Sequence, residues 1–405
     1  MSVSKKLNRL KLIDFIKVIG LDSLKEILIV NGKLSSSEQF KNNDDFEVID
    51  LKDCIIAPGF IDPQVNGYGS CDFWTIKNLE TEKGFLIIDE LRYELALSGV
   101  VAFCPTIITA KTSDVIESIN YINAYIEHSK PNTGAKILGV HIEGVFITKY
   151  GVHESKYAQK ELTVEKVKPF LKDNVVLFTL APELDKTGEA IKFLQKNNIL
   201  VSIGHSNATY AEGKRAIEKY DLRTVTHMFN ALRGIDGFSH RGTDRENLNI
   251  LESKLTSGKI DPEKDGIILA LLNDKNILCM IIADGIHVSK EIVQFLYQSK
   301  GRNLFSLSSD TVATDFFNSI KTKGILGGGQ SKIDKCVSNL INWKVSGTEE
   351  SLLSASKPIA GQLKTAQELG LGEVVIGKEA NIVIWDTKKN AVKGTIMGEN
   401  VFLNI

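Results

Sequence analysis

The chain has 405 residues, 43% hydrophobic and 24% charged, a balance that suits a globular protein with a sizeable buried core. Its 49 lysines and arginines against 50 aspartates and glutamates leave a formal net charge of -1, which excludes a strong overall pull toward nucleic acid or an anionic membrane. No run of 18 apolar residues is present, and Asp14, Lys17, Asp22 and Lys25 break up the N-terminal apolar stretches, so neither a spanning helix nor a signal peptide is expected.

In chain order, Glu26–Val30, a turn at Asn31-Gly32 and Phe46–Leu51 read as short strands. Eight mostly apolar runs follow, each ending in polar residues. They are Cys54–Ile61 before Asp62, Val100–Cys104 before Thr106, Ile137–Ile142 before Glu143, and Val175–Ala181 before Glu183. The remaining four are Leu200–Ile203 before His205, Thr224-Val225 before His227, Ile277–Ala283 before Asp284, and Leu304–Leu307 before Asp310. Segments between them carry helical periodicity, as in Ala211–Tyr220 and Glu291–Gln298. Near the C-terminus Glu373–Gly377, Ala380–Trp385 and Val392–Met397 read again as strands.

Continuous apolar strands alternating with helices imply a parallel sheet buried on both faces, and eight such units imply a closed (β/α)8 TIM barrel. The strand-rich ends suggest a small β-sandwich domain built from both termini, residues 1–57 plus 373–405, around a barrel at 58–372. One interval is anomalous: 57 residues separate His227 from Asp284, against 22 between His205 and His227. The extra length, about 233–266, is polar and charged, and reads as a functional loop over the site or a disordered one. Five scattered cysteines, Cys54, Cys71, Cys104, Cys279 and Cys336, with no CxxC, read as reduced thiols of a cytoplasmic protein.

Barrel chemistry sits at the C-terminal ends of the strands. Glu143, His205 and His227 end three different runs, so a barrel aims them at one axial point. A carboxylate and two imidazoles form a divalent-metal site with a coordination position left open. Singly, each histidine could instead be a hydrogen-bonded structural group; the convergence favours ligands. Asp310 faces the same axis as a candidate general base, its alternative being the cap of the following helix.

The local sequences then resemble a known family. Ala57-Pro-Gly-Phe-Ile-Asp-Pro-Gln-Val-Asn-Gly67, Gly139-Val-His-Ile-Glu-Gly144, Leu180-Ala-Pro-Glu183, Gly204-His-Ser-Asn-Ala-Thr209, Thr226-His-Met-Phe-Asn-Ala231 and Ile282-Ala-Asp-Gly-Ile-His-Val288 carry the likeness. Together they resemble the N-acetylglucosamine-6-phosphate deacetylases of the amidohydrolase superfamily, nearly end to end. The resemblance implies a barrel with a split β-sandwich that hydrolyses the acetamide of N-acetylglucosamine 6-phosphate in the cytosol. It implies one divalent ion per subunit, zinc or iron, on Glu143, His205 and His227, with Asp310 as the catalytic aspartate. His153 matches a histidine that contacts the sugar and the reacting amide. Asn230 and Ala231 match a phosphate-binding pair, and His287 a further substrate histidine. Arg241 resembles an arginine that reaches phosphate from a neighbouring subunit, which implies a homodimer. Gln64 and Asn66 stand where many amidohydrolases carry His-x-His, so no second metal is expected; both could equally bond backbone groups at the strand end.

Three departures touch substrate-facing loops: Arg241 is followed by Gly-Thr-Asp rather than Glu-Pro-Gly, Val145 replaces a proline, and Leu326-Gly-Gly-Gly-Gln-Ser331 replaces a Gly-Ser-rich segment. Two other readings stay open at this level. One is a deacetylase of another acetamido sugar phosphate, such as N-acetylgalactosamine 6-phosphate; the other is a non-catalytic binding protein on the same fold.

Overall fold

The computed structural model describes residues 2–21, 24–35, 45–130, 133–235, 245–322 and 327–404. Eight parallel strands form the barrel: Phe60–Val65, Val100–Ile107, Val140–Glu143, Val175–Leu180, Leu200–Ile203, Thr224-Val225, Leu278–Ile281 and Phe305–Leu307. Each pairs with the next in sequence, with the right register for a continuous wall. The ring closes between its first and last members, where the Asn66 amide donates to the Thr311 carbonyl at 2.9 Å and the Asp310 amide to the Gln64 carbonyl at 3.1 Å. Every residue of Val100–Ile107 is buried, as expected for a strand covered by helices outside and side chains inside.

The helices follow local signals. Thr209 and Glu212 form a reciprocal capping box at the start of Tyr210–Tyr220, whose buried residues Gly213, Ala216, Ile217 and Tyr220 recur at i, i+3, i+4 and i+7. Ser289 caps Lys290–Lys300 by accepting the Ile292 amide, and Gly301, at φ +67°, ends it. The C-terminal carbonyls of Ile267–Asn273 are covered by the buried Lys300 ammonium, which donates to Leu271 at 2.5 Å; it also donates to the carbonyl of Asp274, just beyond the helix, at 2.6 Å.

Both ends of the chain build a sandwich against this barrel. A six-stranded sheet joins Ser2–Lys6, Asn400–Asn404, Ala391–Met397, Asn381–Asp386, Cys54–Pro58 and Lys17-Val18 in that order. Facing it, a four-stranded sheet holds Lys33–Ser35, Glu26–Val30, Arg9–Ile13 and Glu47–Asp50. Leu10, Leu12, Ile27, Ile29, Ile56, Ile382 and Ile384 fill the space between. Trp385 meets the barrel edge-on at Phe60, with ring centroids 6.3 Å apart.

Some expectations change. The run Cys54–Ile61 is two strands in two sheets, Cys54–Pro58 in the sandwich and Phe60–Val65 in the barrel, turning at Gly59. A Cβ on Gly59 would stand 2.1 Å from Val101 Cγ1, so only glycine lets the chain cross between the layers there. Ile137–Ile142 is likewise divided into Lys136-Ile137 and Val140–Glu143. Glu373–Gly377 forms no strand; it is loop, tied to Leu34 by Gly377 N to Leu34 O at 2.7 Å and Leu34 N to Lys378 O at 2.9 Å. The long interval after His227 contains the helix Arg245–Ser257, seated on the barrel through buried Leu248 and Leu251. Among the described residues no helix is long and apolar enough to cross a membrane.

Candidate active site

At the C-terminal mouth of the barrel lies a cavity of about 430 Å³, within the range of small-molecule sites. Glu143, His153, His205, His227, Asn230, Ala231, His287, Asp310 and Asn66 all line it. Strands three, five, six and eight thus deliver side chains to one point, as their spacing predicted. His205, His227 and Asp310 leave their strands with φ of +48°, +32° and +50°, a left-handed backbone that L-residues rarely adopt. Such strain at three strand ends is maintained by the surrounding fold and turns these side chains inward. Arg241 lies outside the described residues.

Glu143 is the centre. Its Oε1 stands 2.7 Å from His227 Nε2 and 3.2 Å from His205 Nε2. His205 Nδ1 is 2.7 Å from the Lys149 carbonyl, and only a protonated nitrogen can make that contact, so in a neutral ring Nε2 offers a lone pair. A lone pair facing a carboxylate oxygen at 3.2 Å calls for a cation. At His227, burial alone would lower the pKa, but contact with Glu143 and the charge of Asp310 outweigh it and raise it. Burial alone would raise Glu143; its contacts with His205 and His227 hold it well below the usual carboxylate range. Nitrogen and oxygen donors of this kind suit a divalent metal. Ligand atoms of Glu143, His153 and His205 lie within 4.8 Å of one another, a metal-sized grouping of three, while His227 joins through its contact with Glu143.

His153 differs from the other two histidines. Its Nδ1 lies 2.8 Å from Thr109 Oγ1 and 3.3 Å from the Thr109 amide, which can only donate. Thr109 Oγ1 in turn accepts the Val145 amide at 3.0 Å, leaving its own hydrogen for His153. Nδ1 is therefore the acceptor, and the ring proton sits on Nε2, facing the cavity. Burial, then the neighbouring His205, pulls this imidazole down to about 3, so it stays neutral. A neutral N–H donor is a poor metal ligand and a good partner for a carbonyl oxygen. The valine in place of proline has a consequence here, because proline has no amide hydrogen to give Thr109.

Asp310 is held by the amide pair. Gln64 Nε2 and Asn66 Nδ2 donate to its Oδ1 at 2.9 and 2.7 Å. Their target is thus this carboxylate rather than the strand-end backbone, and its second oxygen is left for chemistry. Burial and the charge of Glu143 push Asp310 up to about 7, against the pull of His227, His287 and Asn66. His287 is oriented by Asp284, whose Oδ2 receives its Nδ1 hydrogen at 2.8 Å, leaving Nε2 buried without a partner. Further unpartnered atoms surround the same space: Gln64 Oε1, Asn66 Oδ1, His227 Nδ1 and Asn230 Nδ2. Buried polar atoms are normally satisfied, so this cluster points to groups that arrive with a ligand.

Sequence reasoning missed three residues here. Thr109 and Lys149 sit in loops with no distinguishing pattern, whereas Asp284, three residues before His287, had the signal of a strand-end carboxylate. Beneath Glu143 runs an unforeseen polar layer, in which His141 Nε2 meets Thr179 Oγ1 at 2.7 Å and Thr226 Oγ1 meets both Thr179 at 2.7 Å and Ser202 at 2.6 Å.

Comparison with known proteins bears on this arrangement. The N-acetylglucosamine-6-phosphate deacetylase of Caenorhabditis elegans is 29% identical over 384 residues, covering 88% of this chain and 84% of its own. The chain is a relative of these deacetylases. No protein-family model matches it. The N-acetylglucosamine-6-phosphate deacetylase of Pasteurella multocida superposes with a TM-score of 0.76 over 97% of this chain and 99% of its own, at 23% identity. A Mycobacterium smegmatis enzyme of the same name, solved with N-acetyl-D-glucosamine-6-phosphate bound, reaches 0.74 over 97% and 98%, at 18% identity. These structures share the (β/α)8 barrel and its split sandwich over 97% of this chain.

Proposed function

We propose that the protein hydrolyses the acetamide of N-acetylglucosamine 6-phosphate to glucosamine 6-phosphate and acetate. One observation carries the reading: Glu143 between two imidazoles lines the same cavity as a carboxylate, Asp310, that two amides orient. The relatives' shared activity supports the substrate, as does the sugar phosphate bound in the M. smegmatis structure.

Glu143, His205 and His227 would hold one divalent ion, zinc or iron. When bound, such an ion supplies Lewis acidity toward water and toward the acetyl carbonyl. The chain's own residues account for the remaining steps. Asp310 takes a proton from the attacking water at the oxygen left free by Gln64 and Asn66. Water oxygen bonds to the acetyl carbon, and the carbonyl oxygen gains charge that His153 Nε2–H stabilises. Asp310 returns the proton to the sugar nitrogen as the C–N bond breaks, since an amide anion is too basic to leave. Asn230, Ala231 and His287 offer donors to the phosphate, whose binding orients the sugar and is expressed in the transition state. In this reading Arg241 adds a phosphate contact across a homodimer, which sedimentation would test. Five buried, unpaired cysteines fit a cytoplasmic setting.

The test is acetate release from N-acetylglucosamine 6-phosphate, the unphosphorylated sugar and the galactosamine isomer, after chelation and reloading with zinc or iron. We expect metal-dependent turnover of the first substrate, and Asp310→Asn to keep metal while losing about 10²- to 10⁴-fold in kcat. Metal-loaded protein silent on all three sugars would overturn the reading.

A further inference from the structure

We propose that Lys149 is the cation that receives the substrate's phosphate within its own subunit, and that it sets the preference for phosphorylated over unphosphorylated acetamido sugars. The proposal rests on the deacetylase reading above and deepens it.

Among the described residues lining the cavity, Lys149 is the only lysine or arginine. No carboxylate among them pairs with it; its Nζ donates to the Leu232 carbonyl at 3.0 Å. Among the described residues Arg233, next in the chain, likewise donates to carbonyls, of Glu263 at 3.0 Å and Lys264 at 2.8 Å. Surface cations usually find a carboxylate or open water, and a half-buried lysine at a cavity wall with neither awaits an anion.

The position of Lys149 is fixed from both sides. Thr148 and Lys149 amides both donate to the His205 carbonyl at 2.9 Å, while His205 Nδ1 returns a bond to the Lys149 carbonyl. Glu183, at the end of the fourth strand, anchors the Thr148 hydroxyl, Ser206 hydroxyl and Asn207 amide together. The lysine backbone is thereby tied to a residue of the proposed metal cluster, so its charge lies at a set place relative to the reacting end of a substrate.

Beside it, the segment after the sixth strand, which runs on to the Leu232 carbonyl that Lys149 reaches, presents donors. His227, Phe229 and Ala231 have φ of +32°, +76° and +49°, in a segment whose Met228 and Asn230 amides are taken by the Met280 and His227 carbonyls. Asn230 Nδ2 is buried without a partner, and the Ala231 amide has no backbone acceptor among the described residues. An ammonium, a side-chain amide and a backbone amide are three donors for the three terminal oxygens of a phosphate ester. A neutral sugar hydroxyl would leave the ammonium uncompensated.

Lys149→Gln removes the charge and keeps a polar end; Lys149→Met keeps the stem; Lys149→Arg restores the charge. With kcat/KM measured on N-acetylglucosamine 6-phosphate and on N-acetylglucosamine, the ratio between them should fall about ten- to a hundredfold in the Gln and Met variants and recover in the Arg variant. Affinity for inorganic phosphate, read by calorimetry on each metal-loaded protein, should drop at least tenfold in the same two. An unchanged ratio in a folded, metal-containing Gln or Met variant, with both activities lowered together, would make Lys149 a mere cap for Leu232 and overturn the proposal. Wild-type protein inactive on every sugar would sink the deacetylase reading alone; phosphate affinity equal in wild type and variants would then still sink this one.

Discussion

Asn66→Ala isolates the clamp on Asp310. Asn66 Nδ2 gives the shorter of two hydrogen bonds to Oδ1, at 2.7 Å against 2.9 Å from Gln64. A hydrogen bond to a charged group contributes about 1.5–3 kcal/mol, and about 1.4 kcal/mol is one pKa unit. Burial and Glu143 already push Asp310 up to about 7, so loss of one donor should carry it up by a further one to two units. At pH 7 the ionised fraction, and with it the rate of proton abstraction, then falls roughly five- to fiftyfold. The assay is kcat/KM for acetate release between pH 5.5 and 9.5, on wild type and variant loaded with the same ion. A bound cation lowers both profiles alike, so the difference between them survives it. The acidic limb should move to higher pH, with most of the activity regained in alkali. Folding should tolerate the change, because Asn66 Oδ1 is itself buried without a partner. A stationary limb, or a loss equal at every pH, would refute the idea that Asn66 acts through the charge of Asp310.

Thr109→Val removes the hydroxyl that fixes His153 Nδ1 and should lower kcat about tenfold with KM nearly kept, read by steady-state kinetics; an unchanged kcat would free His153 from this tautomer. Asp62 is fully buried and desolvation pushes it up to about 6, partly offset by Ser309 and Gln64. A folded pKa raised above the unfolded value means stability that is complete below about 4 and lost as pH rises through about 6. Asp62→Asn, whose oxygen can still accept the Gln64 and Ser309 amides, should therefore gain stability over wild type as pH goes from 5 to 8 in urea melts; a constant gap would contradict this. Lys300→Met leaves the carbonyls of Leu271 and Asp274 without their donor and should cost about 1–3 kcal/mol in the same melts, with activity kept.

Barrel and sandwich could both be read from apolar runs, because a strand buried on both faces is apolar throughout. The same property hid where one sheet ends and another begins. Cys54–Pro58 and Phe60–Val65 are equally buried, so nothing periodic distinguishes them, and only the close approach of Val101 to Gly59 marks the crossing. Glu373–Gly377 looked strand-like from composition, yet its backbone is spent on Leu34, 343 positions from Gly377 (377 − 34), a contact no local window contains. In the site, the strand-end residues were legible since barrel geometry converts sequence position into direction. Supporting groups were not: Thr109 matters through Val145 and His153, and Gln64 through Asp310, 246 positions away. Lys149 looked like any loop lysine until its reach to Leu232 was known.

Ser2 pairs with Asn404, 402 positions apart (404 − 2), and Cys54–Pro58 pairs with Asn381–Asp386. On the ribosome, therefore, Ser2–Lys6 has no neighbour, and Cys54–Pro58 only the short Lys17-Val18, until the last strands are made, and the barrel between them is complete first. The equilibrium price of so long a closure is small, since loop entropy grows only with the logarithm of length. The kinetic one is larger: unpaired sandwich edges stay open to other chains through most of synthesis. A circular permutant that joins residue 404 to residue 2 would turn these contacts into a local hairpin and shorten that exposure, leaving the catalytic mouth at the far end of the barrel strands untouched.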